Sequence, residues 1–240
     1  MSRILAFVDE QPCAVDVVLT ADAIGEVLGA SGDVVHVTEP GEARGVVTPR
    51  ARRVPGDVID TIAAELASSD VVVGVIGVRS EANPGRSVGH VAAELLSSCR
   101  RPVVVVPPGA GAPPIPPTIL VPHDGTDATS EALGPVLSVL RPSGATIVTA
   151  HVFAPDTLPV LMSSAEDRRT IADEFGAIHG DGGAVELDVG LAEERLGDLV
   201  ERLGADVVLV AWSQHLVPGR AKVVRRLLDV GVHLLLVPIR

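Results

Sequence analysis

The sequence predicts an α/β protein in which one small fold occurs twice in tandem, each copy a mainly parallel sheet flanked by helices. Three observations carry this. Short runs of Val, Leu and Ile alternate with helix-periodic segments along the whole chain, the pattern of a parallel sheet with right-handed crossovers. The two halves match at a constant offset: Ile4-Leu5 recurs as Ile119-Leu120, Asp9 as Asp124, His36-Val37 as His151-Val152 and Pro40 as Pro155, each 115 positions on. Between the halves runs Pro107-Pro108-Gly109-Ala110-Gly111-Ala112-Pro113-Pro114-Ile115-Pro116-Pro117, where proline removes ladder donors and stiffens the chain towards polyproline II. The expected division is a first domain at 1–108, a linker at 109–117 and a second domain at 118–240. Half of 240 residues suffices for one hydrophobic core, so each half is expected to bury its own sheet.

Ile4 to Val8 reads as the first strand, ending at Asp9. Val17, Val18, Ala21, Ile24 and Leu28 then recur at helical spacing. Val34 to Val37 is the second strand, and Ile59, Ile62, Ala63 and Leu66 lie on one face of the next helix. Val71 to Ile76 is an uncharged strand interrupted only by Gly74; Val91 to Ser97 and Val103 to Val106 are the last helix and strand. Glu39 to Pro55 is too short and polar for a helix.

The second half repeats the order. Leu133, Val136, Leu137 and Leu140 form a helical face containing Pro135, so that helix is expected to start late or to kink. Glu65 and Asp70 match Glu201 and Asp206 at an offset of 136, so 21 extra residues lie in the middle of the second half. They supply a further helix, with Ser163 and Glu166 as a capping box and Ile171, Phe175 and Ile178 as its apolar face. The closing strands, Val103 to Pro107 and Leu234 to Pro238, match at 131.

The net charge of -12 disfavours nucleic acid and anionic membranes as partners. No apolar run reaches the ~18 residues of a membrane helix, and Met1-Ser2-Arg3-Ile4 enters a strand without a leader-like segment. A cytoplasmic location is the default expectation. Cys13 and Cys99 are too few and too distant for a disulfide framework or metal set and read as buried or half-buried thiols. The seven histidines show no zinc spacing and read as structural or surface residues. Neither a Gly-x-Ser-x-Gly elbow nor a Gly-x4-Gly-Lys-Ser/Thr loop occurs.

Ile119-Leu-Val-Pro-His-Asp124-Gly-Thr, Val200-Glu-Arg-Leu-Gly-Ala-Asp206-Val-Val-Leu-Val, the endings Pro102-Val-Val-Val-Val-Pro107 and Leu234-Leu-Leu-Val-Pro238, and the paired His-Val steps together resemble the universal stress protein family, twice over nearly the whole chain. The resemblance implies two Rossmann-like domains of the adenine nucleotide α-hydrolase type. Each would hold five strands, and the two would pair as a pseudo-twofold dimer through their last strands, Val103–Val106 against Leu234–Val237.

Many members of that family bind ATP through Gly-x2-Gly-x9-Gly-Ser/Thr after the fourth strand, where glycines let backbone N–H groups reach the phosphates. Here Gly77 matches the opening glycine, Ser80 replaces the second, and Gly89-His90 stands one residue early where Gly-Ser is expected. The second half reads Ala211-Trp212-Ser213-Gln214-His215, with bulky Trp212 where close approach is needed. The resemblance therefore implies a degraded adenine-nucleotide site at Asp9, Val37, Gly77, Arg79, Gly85, Gly89 and His90, and a lost or altered one at Asp124. Each has a plainer reading. The aspartates suit an N-cap or Asx-turn, the glycines turns of positive φ, and Arg79 and Arg86 solvated charge.

The function expected is a non-catalytic stress-response or regulatory module needing no cofactor, with ATP or another adenine nucleotide as the candidate ligand. A nucleotide-independent interaction scaffold is the alternative. A nucleotide α-hydrolase-class enzyme lacks its Ser-Gly-Gly-x-Asp-Ser or His-x-Gly-His motif here. A second copy of the chain and an unidentified protein both stay open as partners.

Overall fold

The computed structural model describes residues 2–10, 13–39, 48–78, 90–155, 164–179, 183–213 and 222–239. The first half runs β1 (Arg3–Phe7), α1 (Ala14–Leu28), β2 (Ser31–Thr38), β3 (Ala51–Pro55), α2 (Val58–Leu66), β4 (Val71–Gly77), α3 (His90–Ser98) and β5 (Val103–Val106). The second runs β6 (Thr118–Pro122), α4 (Asp127–Leu140), β7 (Thr146–Phe153), α5 (Ala165–His179), β8 (Ala184–Val189), α6 (Ala192–Leu203), β9 (Val207–Trp212), α7 (Lys222–Val230) and β10 (His233–Pro238).

The strands lie in the order β3-β2-β1-β4-β5-β10-β9-β6-β7-β8. Neighbours are parallel except at the centre, where β5 and β10 run antiparallel with Leu234 opposite Val105, Leu235 opposite Val104 and Leu236 opposite Val103. One half mirrors the order of the other, so the fold is two five-stranded units related by a pseudo-twofold through that ladder.

The expectation of a separate core for each half is corrected. One face of the sheet buries Leu5, Leu66 and Leu95 in continuity with Leu199, Trp212 and Leu227. The other buries Val17 and Ile24 of α1 with Leu133 and Leu137 of α4. Each core crosses the pseudo-twofold because β5 is Val at all four positions and fully buried. As an open edge it would present an apolar strand to water.

Local sequence explains the packing. Gly74 lies under Leu66, whose Cδ2 would sit 2.7 Å from any Cβ there, so the one interruption in the β4 apolar run seats α2 on the sheet. Asp57 caps α2, its carboxylate accepting from the N–H groups of Ile59 and Asp60 at 2.9 and 3.0 Å. Arg3 ties the base of the first half together, donating to Asp70 at 2.7 Å and to Asp33 at 2.8 Å; the hydrogen bond from Arg3, with a second from Ser68, holds the Asp70 carboxyl well below its usual range. The linker is fastened to α1: Gly109 N–H donates to Asp16 at 2.8 Å, and Thr20 Oγ1 donates to the Gly111 carbonyl at 3.3 Å.

Three sequence expectations change. α4 begins eight residues ahead of Pro135, capped by Thr126 Oγ1 on the Thr129 N–H, so it does not start late. The capping pair of α5 is Ser164 with Asp167, each side chain accepting the other's backbone N–H at 3.0 and 3.2 Å, one position on from the expected Ser163 and Glu166; Ser163 lies outside the described residues. Ile178 is 71 % exposed and does not share the inner face with Phe175. The polar stretches contribute the outer strands, β3 and β8.

Candidate functional site

The carboxyl ends of β1, β2 and β4, with the start of α1, enclose a cavity of about 390 Å³. This is where the chain crosses from β2 and β3 to the opposite side of β1, the point at which open α/β sheets leave a crevice for ligands. Phe7, Val35, Val37, Ile62 and Leu95 supply apolar wall; Asp9, Cys13, His36 and Glu39 supply its polar groups.

His36 is 4 % exposed. Its Nδ1 lies 2.9 Å from the Val8 carbonyl oxygen. A carbonyl has no proton to give, so Nδ1 donates, and in the neutral ring Nε2 carries the lone pair. The second half repeats the arrangement: His151 Nδ1 donates to the His123 carbonyl at 2.7 Å. The environments of the two rings differ. Phe175 of α5 lies 4.7 Å from the His151 ring and Phe153 lies 4.4 Å from it, centroid to centroid. The inserted helix thus packs a ring against the histidine whose first-half counterpart lines the cavity.

Gly77 does not have a positive φ, in contrast to one reading of its sequence position. It permits a close approach. A Cβ there would stand 3.0 Å from Cys13 Sγ and 3.2 Å from Val17 Cγ2, so glycine lets the start of α1 close against the end of β4. Cys13 is half-buried; Cys99 is buried, which pushes its thiol pKa up.

A second crevice, of about 360 Å³, occupies the matching place in the other half and is lined by His123, Asp124, Val152, Leu196, Trp212 and Ser213. Asp124 forms an Asx-turn, accepting from the backbone N–H and the hydroxyl of Thr126 at 3.0 and 2.8 Å. Burial opposes its ionisation, but the hydrogen bonds from Thr126 and Thr129 together outweigh burial and hold the carboxyl below its usual range. Trp212 lines this crevice from the core side, buried, with its indole N–H bonded to the Leu96 carbonyl at 3.0 Å.

Beside that crevice, His123 accepts the Gly125 N–H at Nδ1 (3.0 Å), which leaves Nε2–H to donate to Ser130 Oγ at 3.1 Å. Ser130 Oγ lies 3.2 Å from His179 Nδ1. Burial, and secondarily the nearby His179, push the His123 pKa down. Sequence spacing gives no hint of this cluster, because α5 brings His179 and Phe175 in from outside the repeated fold.

Of the residues singled out in the sequence, Asp9, Val37 and Gly77 converge on the first cavity and Asp124 on the second crevice. His90 is the first residue of α3. Arg79, Gly85 and Gly89 lie outside the described residues. His36 and Cys13 were not expected at the cavity; the recurring His-Val step was the available signal for the first. Among the described residues no cluster of His, Cys, Asp and Glu could hold a metal ion, and no helix is long and apolar enough to cross a membrane.

No family model and no curated protein matches the chain. Solved structures do. A protein of unknown function from Pseudomonas aeruginosa PAO1 is 13% identical with a TM-score of 0.71, covering 99% of this chain and 92% of its own. A putative universal stress protein from Pseudomonas aeruginosa UCBPP-PA14 is 14% identical with a TM-score of 0.69, covering 98% and 92%. A universal stress protein from Archaeoglobus fulgidus is 14% identical with a TM-score of 0.70, covering 99% and 98%. The fold of this chain, over its full length, is the one those proteins share.

Proposed function

We propose that the chain is a non-catalytic stress-response or regulatory protein of the universal stress protein type, with one working small-ligand site, in its first half, that takes an adenine nucleotide or nucleoside. The observation that carries this is the cavity of about 390 Å³ at the sheet's crossover point, where Asp9, Val37 and Gly77 meet. The likeness in fold to universal stress proteins supports the class. The two halves, with domains at 1–108 and 118–240, act as an intramolecular pseudo-dimer held by the β5–β10 ladder. The second half is the structural partner: Phe175 of α5 packs on its strand-two histidine and bulky Trp212 lines its crevice. We assign the protein to the cytoplasm, with no cofactor required.

Native mass spectrometry of the purified chain, followed by thermal shift with millimolar ATP, ADP and AMP, tests this. One adenine compound retained per chain, or a rise in Tm that saturates with concentration, is expected. No retained ligand and no shift with any of the three would favour the scaffold reading, in which both halves serve only protein contacts.

A further inference from the structure

The sheet has two ends, β3 and β8, and the duplication lets one be compared with the other. Along a strand, alternate residues turn N–H and C=O to the same side. Gly56 N–H bonds the Thr38 carbonyl of β2 at 3.1 Å, and Gly190 N–H bonds the Phe153 carbonyl of β7 at 2.9 Å. By that alternation Ala51, Arg53 and Pro55 turn outward on β3, and Val185, Leu187 and Val189 turn outward on β8. The first edge is blunted. Pro55 has no N–H to offer, and that of Ala51 donates to the Thr48 carbonyl at 3.0 Å. On the second edge the Val189 N–H is taken by the Asp188 carboxylate at 2.7 Å. Those of Val185 and Leu187 have no acceptor among the described residues. Two successive outward donors are therefore open on β8 and not on β3.

The side chains of that edge are only half covered. Val185 and Leu187 lie beside α5, a helix that buries none of its own residues, and they line a groove of about 590 Å³ between helix and strand. Gly176 lets α5 come close, since a Cβ there would stand 3.2 Å from Val185 Cγ2. The charged groups of the groove are Arg168, Arg169 and Asp173. Both arginines are exposed and have no ion pair among the described residues. Glu186 and Asp188 turn to the other face of the strand, where Arg202 and Arg195 of α6 approach them at 3.1 and 4.0 Å. On a chain of net charge -12 the groove thus carries an excess of positive charge.

We infer that the outer edge of β8 is a protein-docking site that takes an extended peptide segment as a further strand, and that Arg168 and Arg169 select a segment with carboxylates beside its apolar run. Backbone bonds to Val185 and Leu187 supply the pairing, alternate side chains of the segment enter the groove, and the arginines pair with its carboxylates. A second copy of the chain suits this edge less well. Antiparallel pairing of two β8 strands about Leu187 would set Glu186 opposite Asp188, like charges in register. The site is separate from the cavity of the first half and does not depend on a ligand there.

The test uses the full chain and two synthetic peptides, each a run of alternating valine and threonine, one ending in two aspartates and the other in two lysines. In amide hydrogen exchange followed by NMR, the aspartate peptide should slow exchange at Val185 and Leu187 and leave Glu186, whose N–H faces β7, as it was; this readout needs no variant. By fluorescence anisotropy the aspartate peptide should bind about tenfold or more tighter than the lysine peptide, and Arg168→Glu with Arg169→Glu should invert that order. Leu187→Pro removes an outward donor while sparing the ladder to β7, and should abolish binding of the aspartate peptide. Unchanged exchange at Val185 and Leu187 with millimolar aspartate peptide overturns the docking site. Equal affinity for the two peptides overturns the selection by charge. A concentration-dependent dimer in sedimentation velocity that Leu187→Pro dissolves would assign the edge to a second copy and overturn the peptide reading.

Discussion

The indole N–H of Trp212 donates to the carbonyl of Leu96 at 3.0 Å, which bonds the end of β9 in the second half to α3 in the first. Trp212 is 5 % exposed and belongs to the core that runs beneath both halves. Trp212→Phe keeps most of the volume and leaves the carbonyl unpaired, so it should cost about 1–3 kcal/mol. Trp212→Ala empties the site and should cost about 3–5 kcal/mol. Urea denaturation followed by circular dichroism measures both. The loss should appear in one cooperative transition, because the shared cores leave neither half an independent folding unit; two resolved transitions, with only one shifted, would contradict that account.

Gly77 and Cys13 should be energetically coupled. A Cβ at 77 stands 3.0 Å from Cys13 Sγ, so Gly77→Ala overpacks the junction of β4 and α1 at a cost of about 1–3 kcal/mol. Removing the sulfur makes room: the double variant Gly77→Ala, Cys13→Ala should be more stable than the sum of the single effects allows. A double-mutant cycle that closes additively would show that the contact is relieved elsewhere, without strain at α1.

The central ladder makes a prediction about the isolated first half. A chain ending at residue 108 exposes β5, four buried valines in a row, as an unpaired edge. Such an edge should recruit the same strand of a second copy in antiparallel register, so residues 1–108 should run as a dimer or larger species in sedimentation velocity. Val104→Lys, which sets a charge in the strand opposite Leu235, should prevent the association. A stable monomer of residues 1–108 would mean that the ladder contributes little to the fold.

The repeat offset was legible because the inner strands demand the same residues in both copies. Ile4-Leu5 and Ile119-Leu120 are all buried, and His36 and His151 make the same carbonyl bond. The outer strands were not. β3 carries Arg52 and Arg53, and Arg52 pairs with Glu65 of α2; a solvated edge needs no apolar run, so its strand character is set by pairing with β2 rather than by composition. The site was legible in part for the same reason. Strand ends fix where Asp9, Val37 and Gly77 must meet. What covers each histidine depends on α5, which has no counterpart among the described residues of the first half and whose inner contacts, Phe175 and His179, follow no spacing within the repeat.

The buried histidines set the response to acid. His123 and His233 are each about 5 % exposed. Burial lowers both pKa values, reinforced for His123 by His179 and His151 and opposed by Asp124. For His233 it is opposed by the carbonyls of Gly111 and Asp206, at 3.1 and 3.3 Å from its two ring nitrogens. In the unfolded chain a histidine titrates near 6.5. Between that value and the lower folded one the unfolded state binds more protons, so stability rises with pH there and is lost as pH falls. Above about 6.5 the two groups are neutral in both states and contribute no slope. Asp70 and Glu65, held low chiefly by hydrogen bonds from Arg3 and Arg52, add a separate loss only in the carboxylate range further down. Urea midpoints should therefore be level from pH 8 to 7 and fall between pH 6.5 and 5, and His123→Gln or His233→Gln should flatten that fall. A midpoint that rises on acidification through this window would mean that the histidines are charged in the folded protein, held by the carbonyls that surround them.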